Sequence, residues 1–107
     1  MPHDPATIPV IVGVGELADR APDPAEVREP AALMYAALLR AEADAGGALL
    51  GRLDRLSIIN EISWPYADPV GVLCDRLGHR PAHAVYGRVG GETPVAAIHE
   101  AAQAIAR

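Results

Sequence analysis

Short apolar runs alternate along the chain with segments in which apolar residues recur at helical spacing. The first run, Ile8 to Val14, is rich in β-branched residues and ended by glycine, a pattern typical of a buried strand. A second strand is predicted over Leu53 to Ile62, with polar residues at its exit, and a third over Ala82 to Val89. These runs predict three strands of one sheet.

Helical spacing predicts three helices between and after these strands. The first begins with Pro30 in its first turn and stops at Gly46, which is followed by a second glycine. In the second, Asp68 caps a short apolar stripe that ends before Gly78. The third is Ala-rich and follows a double glycine near position 90. Residues 19–30 contain three prolines and several charges, so they are predicted to form an exposed connection with at most one short helical turn.

The order of strands and helices predicts an α/β fold, with alternating βαβαβα elements and a mainly parallel sheet. Strands that alternate with helices pair in parallel and place functional groups at their carboxyl ends. A chain of 107 residues is long enough for one domain, so residues 1–107 are taken as a single unit. The core should consist of Ala, Val, Leu and Ile, because the chain has no Phe, one Trp and three Tyr.

Composition narrows the classes of partner. The formal net charge is -5 and the sequence contains no block of Lys or Arg, which argues against nucleic acid as a partner. The single cysteine, Cys74, can form neither an intramolecular disulfide nor a cysteine zinc site, and this fits a reducing cytoplasm. The sequence shows no signal peptide and no apolar run of the roughly 20 residues that span a bilayer, so a soluble, cytoplasmic protein is expected.

A glycine pattern after the first run is a candidate dinucleotide site. Gly13, Gly15 and Ala18 satisfy the G-x-G-x-x-(G/A) pattern, which requires a helix to begin at once so that its N-terminus faces the pyrophosphate. Pro22 and Pro24 follow too early for that helix. The expected acidic residue about 20 positions on is also missing from the end of the second strand. An ordinary strand exit is therefore the favoured interpretation.

Cys74 and the histidines are the other candidates for chemistry. A reactive thiol needs a helix N-terminus or a nearby cation, whereas Cys74 lies in the later turns of its helix, on the apolar stripe. A buried structural thiol is the better interpretation. Metal-ligand spacing is absent among the four histidines, for which solvent-facing or locally bonded roles are expected, with no metal site. These are His3, His79, His83 and His99.

The turn Gly90–Thr93 is the third candidate site. Gly90 and Gly91 allow close backbone approach, Thr93 can cap the helix, and Pro94 can occupy its first turn. Free N–H groups at such a helix start can bind an anion or a developing oxyanion. From these residues alone, a binding turn and a plain capped turn remain equally open.

The order of segments adds a family resemblance that covers nearly the whole chain. IPVIVGVGE, REPAALMYAALLRAEADAG, LDRLSIIN, ADPVGVLCDRLG and GGETPVAAIHEAAQAIA occur in succession. Together they resemble the N-terminal part of the thiolase superfamily, especially its acetyl-CoA acetyltransferase-like and sterol-carrier-protein-type members. The resemblance implies an incomplete three-layer fold and an acyl-CoA acyltransferase of lipid metabolism. It also implies a coenzyme A thioester as substrate, no further cofactor, and a dimer or a partner subunit that completes the fold.

The chain departs from the family pattern at the nucleophile. The resemblance places the family's reactive cysteine at about Gly91, at the start of the last helix, so no catalytic residue is assigned. Cys74 belongs to the preceding helix and does not replace it. The residues Gly90, Gly91, Glu92 and Thr93 are instead expected to contribute to an acyl-thioester pocket.

The family's remaining catalytic motifs belong to later segments, so the chain is expected to be an N-terminal fragment or a truncated member. Two alternatives stay open. One is a non-catalytic interaction subunit with the thiolase half-fold. The other is a small dinucleotide-binding domain that uses Gly13 and Gly15.

Overall fold

The computed structural model describes residues 5–18, 29–60, 66–87 and 90–107. In this part of the chain the fold is mixed α/β, with three α-helices and two β-strands. In chain order the elements are α1 (Pro30–Ala45), β1 (Arg55–Ile59), α2 (Pro69–Leu77), β2 (His83–Gly87) and α3 (Thr93–Ala106). Short 3-10 turns lie at Pro5–Thr7 and Leu50–Arg52.

The two strands pair in parallel, as the alternation of strands and helices predicted. Arg55 lies opposite His83 at one end of the pairing, and Ile59 lies opposite Gly87 at the other. The ladder extends by one bond at each end. The amide of His83 donates to the Asp54 carbonyl over 3.0 Å, and that of Asn60 donates to the Gly87 carbonyl over 3.2 Å.

One face of this sheet forms the core, because side chains alternate between the two faces of a strand. Leu56 and Ile58 of β1 point into it and are buried. They pack against the buried stripe of α2, which consists of Val70, Leu73 and Cys74, as the helical spacing predicted. Partly buried residues of α1, α2 and β2 complete this side: Met34, Tyr35, Leu38, Leu77, Ala84 and Tyr86.

The helix ends follow the capping residues in the sequence. Asp68 accepts a hydrogen bond from the amide of Gly71 over 3.0 Å, which satisfies an amide that the first helical turn leaves free. Gly46 and Gly78 end α1 and α2 with φ values of 80° and 69°, in the left-handed region that favours glycine. The predicted bounds of these two helices are confirmed.

The predicted first strand is wrong. Ile8 to Val14 has no regular secondary structure, and its side chains are largely exposed, with Ile11 78% accessible. The segment packs against α1 and not against the sheet. The amide of Val14 donates to Asp44 Oδ2 over 2.9 Å, and Arg40 donates to the Glu16 carbonyl over 2.7 Å. β-Branched composition marks a segment that fits a strand, but pairing requires a neighbouring strand edge.

The other predicted elements are shorter than expected or lie partly outside the described residues. The second and third strands are shorter than predicted, because pairing covers only five residues of each. The structure describes only positions 29 and 30 of the expected connection over 19–30. Residues 61–65 and 88–89, which include the predicted ends of the second and third strands, lie outside the described residues. Within the described parts, no helix combines the length and the hydropathy needed to cross a membrane.

Candidate functional site

The turn Gly90–Thr93 leads into α3 shortly after the carboxyl end of β2, where a parallel sheet carries its functional groups. A hydrogen bond from the amide of Thr93 to the Gly90 carbonyl, 3.2 Å long, closes the turn. Gly91 is exposed, and a Cβ atom added to it would meet no other atom within 4 Å. Its φ lies outside the left-handed region, so another residue could stand there without backbone strain.

Thr93 does not cap α3, in contrast to the prediction from the sequence. Glu92 occupies the cap position without a side-chain capping bond, and Thr93 is the first helical residue. Its side chain turns inward because its methyl group packs on β2, where a Cβ added to Gly87 would lie 3.2 Å from Thr93 Cγ2. Thr93 is only 6% exposed, and its hydroxyl has no hydrogen-bond partner.

The charge and hydrogen bonding of the turn favour a neutral ligand group over an anion. The Glu92 carboxylate covers Gly90, where an added Cβ would lie 2.8 Å from Oε1. Two potential donors of the first helical turn are also unavailable, since the Thr93 amide is bonded within the turn and Pro94 has no N–H. A phosphate bound here would lie next to the Glu92 carboxylate and would find few N–H donors. The Thr93 hydroxyl is a neutral donor near the turn, but its oxygen is closed off from solvent, so a ligand carbonyl reaches it only when the side chain turns.

Two adjoining concavities separate α3 from the outer face of the sheet, which is the face opposite the core. A cleft of about 340 Å³ lies beside Thr93, and a groove of about 930 Å³ follows α3. Both are lined by Ser57, Ile59 and Ala97, so they are continuous. Reasoning from the sequence did not select these lining residues. The signal that could have found them is strand alternation, which places Ser57 and Ile59 on the face opposite Leu56 and Ile58.

The candidate dinucleotide glycines have a packing role. A Cβ added to Gly13 would collide with the carbonyl oxygen of Ala41, and one added to Gly15 would collide with that of Ala37. Both glycines therefore allow the extended segment to lie against the backbone of α1. The residues after Ala18 lie outside the described part of the chain, so the helix that a dinucleotide motif requires is not described.

Cys74 lies where a structural thiol was expected. It is 6% exposed, in the core between α2 and β1, on the face of the sheet opposite the α3 groove. His79 donates from Nε2 to the Leu53 carbonyl over 2.8 Å, while His83 and His99 are exposed. His3 lies outside the described residues. The described residues contain no group of three or more side chains suited to hold a metal ion.

No protein-family model, no curated protein and no solved structure matches the chain. The thiolase resemblance therefore rests on the order of the sequence segments alone and stays a prediction.

Proposed function

We propose that this chain is the N-terminal part of a thiolase-like acyl-CoA acyltransferase and that it binds a thioester at the turn Gly90–Thr93. In this proposal the turn positions the thioester carbonyl but does not attack it, because the position of the family's nucleophile is occupied by Gly91. The substrate would be a coenzyme A thioester, with no metal and no further cofactor. The arrangement that supports the proposal is a parallel sheet whose second strand leads through a glycine turn into a helix.

The buried Thr93 hydroxyl is the observation that carries the proposal. Leaving a buried hydroxyl without a partner costs about 1–3 kcal/mol, so such groups in native proteins call for a physical explanation. In this proposal the Thr93 side chain turns so that its hydroxyl, which is closed off from solvent in the unliganded chain, donates to a carbonyl oxygen in the adjacent cleft. The cleft is small and its lining is mostly apolar, with Ile59 and Val85 among the lining residues, which suits a thioester better than a phosphate.

Thr93→Val tests this role because valine has nearly the shape of threonine and lacks the hydroxyl. We expect the variant to unfold at a higher temperature than the wild type, since the unpartnered polar group is removed. It should also bind acetyl-CoA about 5- to 10-fold more weakly in calorimetry, as expected for the loss of one hydrogen bond. Thr93→Ser, which keeps the hydroxyl, is the matched control and should retain binding. Equal acetyl-CoA affinity of the valine and serine variants would contradict the proposal.

Gly91→Cys tests the position of the turn more directly. The site has room for the side chain, and a thiol there would lie next to the thioester of the proposal, so acyl transfer would depend on proximity and not on stabilisation of an anion by the turn. We expect this variant to gain one acetyl group from acetyl-CoA, measured by intact mass. Gly51→Cys is the control, because Gly51 is also exposed, also has open space at Cβ, and lies outside the turn. Equal acetylation of the two variants would show that the turn gives the thiol no special reactivity.

A non-catalytic interaction subunit is the second candidate function. It is favoured by the exposed apolar side chains of α3, where Val95 and Ile98 are 71% and 65% accessible. Such a subunit would associate tightly with itself or with a partner and would bind no thioester. Association without any effect of Thr93→Val on acetyl-CoA binding would favour this candidate over the first.

A further inference from the structure

The groove between α3 and the sheet combines an apolar wall with a polar end that carries Arg55, His83 and Asp54. On the sheet side, Arg55 and His83 lie opposite each other in the register, at the first paired positions of their strands. Ser57 and Ile59 continue the same face of β1. The α3 side is lined by small and aliphatic residues, namely Pro94, Ala97, Ile98, Ala101, Ala104 and Ile105.

The groove is long and narrow because α3 follows it along most of its length. Thr93 and Ile105 are 12 residues apart in the helix, a rise of about 18 Å. Thr93 lies at the carboxyl end of β2 through its contact with Gly87, whereas Arg55 and His83 are the amino-terminal residues of their strands. Arg55 and His83 are thus at the opposite end of the sheet from the turn Gly90–Thr93.

Arg55 at this end of the groove has no direct partner among the described residues. The residue is half-buried, and its guanidinium makes no hydrogen bond or ion pair with a described residue. His83 is exposed beside it, and Asp54 is the one acidic residue among those that line the groove. Arginine binds a carboxylate through two parallel hydrogen bonds, which makes a carboxylate the ligand group that this geometry fits.

We propose that the groove binds an unbranched alkyl carboxylate, with its carboxylate on Arg55 and its chain along Ile59, Ala97 and Ala101. The two alanines leave room for a thin chain, and the groove volume lies within the range of small-molecule sites. Charge complementarity selects this occupant, since a purely apolar partner surface would leave the arginine without a counter-charge. This ligand goes beyond the thioester of the proposed function and does not depend on it.

The experiment is a calorimetric titration of the full chain with sodium hexanoate, octanoate and decanoate, each below its micelle concentration. We expect the dissociation constant to fall with chain length, by up to about fourfold per added methylene, which is the value for a fully buried CH₂ group. Arg55→Met, which keeps an apolar stem, should weaken decanoate binding by about tenfold or more, because a charge-assisted hydrogen bond is lost. Arg52→Met is the matched control, since Arg52 is exposed and does not line the groove.

A second variant tests the contribution of the apolar groove to binding, and a second probe tests the contribution of the ligand's charge. Ala101→Trp should fill the groove and abolish binding of decanoate, with folding checked by circular dichroism. Decyltrimethylammonium, which has the same chain and the opposite charge, should bind more weakly than decanoate to the wild type.

Three results would overturn the proposal: affinity independent of chain length, equal decanoate affinity in Arg55→Met and Arg52→Met, or a dimer in light scattering that takes up no decanoate. The last result would mean that a second copy covers the groove. None of these titrations uses a thioester, so their failure leaves the Thr93 experiment standing.

Discussion

At Gly15 the absence of a side chain lets an extended segment lie directly on the backbone of α1. An alanine Cβ there would collide with the carbonyl of Ala37 and lie 2.5 Å from the amide nitrogen of Ala41, both of which are backbone atoms that cannot turn aside. We expect Gly15→Ala to lower the free energy of unfolding by about 1–3 kcal/mol, the usual cost of overpacking. Urea denaturation measures this. Gly47→Ala is the control, because a Cβ there meets nothing within 4 Å, and a stability loss of equal size in both variants would contradict the packing role of Gly15.

The same close approach bears on the dinucleotide alternative. The backbone of α1 occupies the space beside each glycine, where the pyrophosphate of a dinucleotide would have to approach. We therefore expect NAD and NADP to bind no more tightly than about 1 mM. Isothermal titration calorimetry decides this. A micromolar dissociation constant that weakens in Gly15→Val would restore the cofactor site at Gly13 and Gly15.

Cys74 is predicted to react slowly in the folded protein. It lies in the core beside Leu56 and Leu73, where a thiol packs as a small apolar side chain. Iodoacetamide should alkylate it rapidly only after denaturation, and incubation with acetyl-CoA should leave the mass of the wild-type protein unchanged. A stoichiometric acetyl adduct at Cys74 would show an activated thiol and would refute its structural role.

At the scale of elements, α2 depends on its N-cap. Asp68 satisfies the amide of Gly71, and α2 carries three of the buried core residues, so fraying of this helix would loosen the core. We expect Asp68→Ala to lower the free energy of unfolding by about 0.5–2 kcal/mol. Asp75→Ala is the control, since it removes the same charge from an exposed position near the C-terminal end of the same helix. Thermal melts in which both variants lose equal stability would assign the effect to charge and not to capping.

At the scale of the whole molecule, exposed apolar surface predicts self-association. Val95 and Ile98 are exposed on α3, and Ile8 to Val14 adds further exposed aliphatic side chains against α1. Exposed apolar surface of this kind is where proteins associate. Light scattering should show a dimer or a larger species at high protein concentration. Val95→Glu, which lies outside the groove, should shift the population toward the monomer, whereas Gln103→Glu, at an exposed polar position of the same helix, should not. A stable wild-type monomer would contradict this prediction.

The sequence by itself determined the ends of α1 and α2 and the direction of strand pairing. Helix limits were predictable at Asp68, Gly46 and Gly78, because capping and left-handed glycine conformations depend on residues within one turn. The parallel pairing was also predictable, since a helix between two strands brings them back in the same direction.

Only the tertiary structure decided which segment joined the sheet and which polar groups lacked a partner. Ile8 to Val14 has the composition of a strand, yet its neighbours are on α1, and composition does not specify the neighbour. Thr93 has the residue type of a cap, but its side chain is buried because its methyl group packs against Gly87. The groove with Arg55 at its end arises from α3 crossing the outer face of the sheet. Each of these features depends on contacts between residues far apart in the chain, which no local pattern encodes.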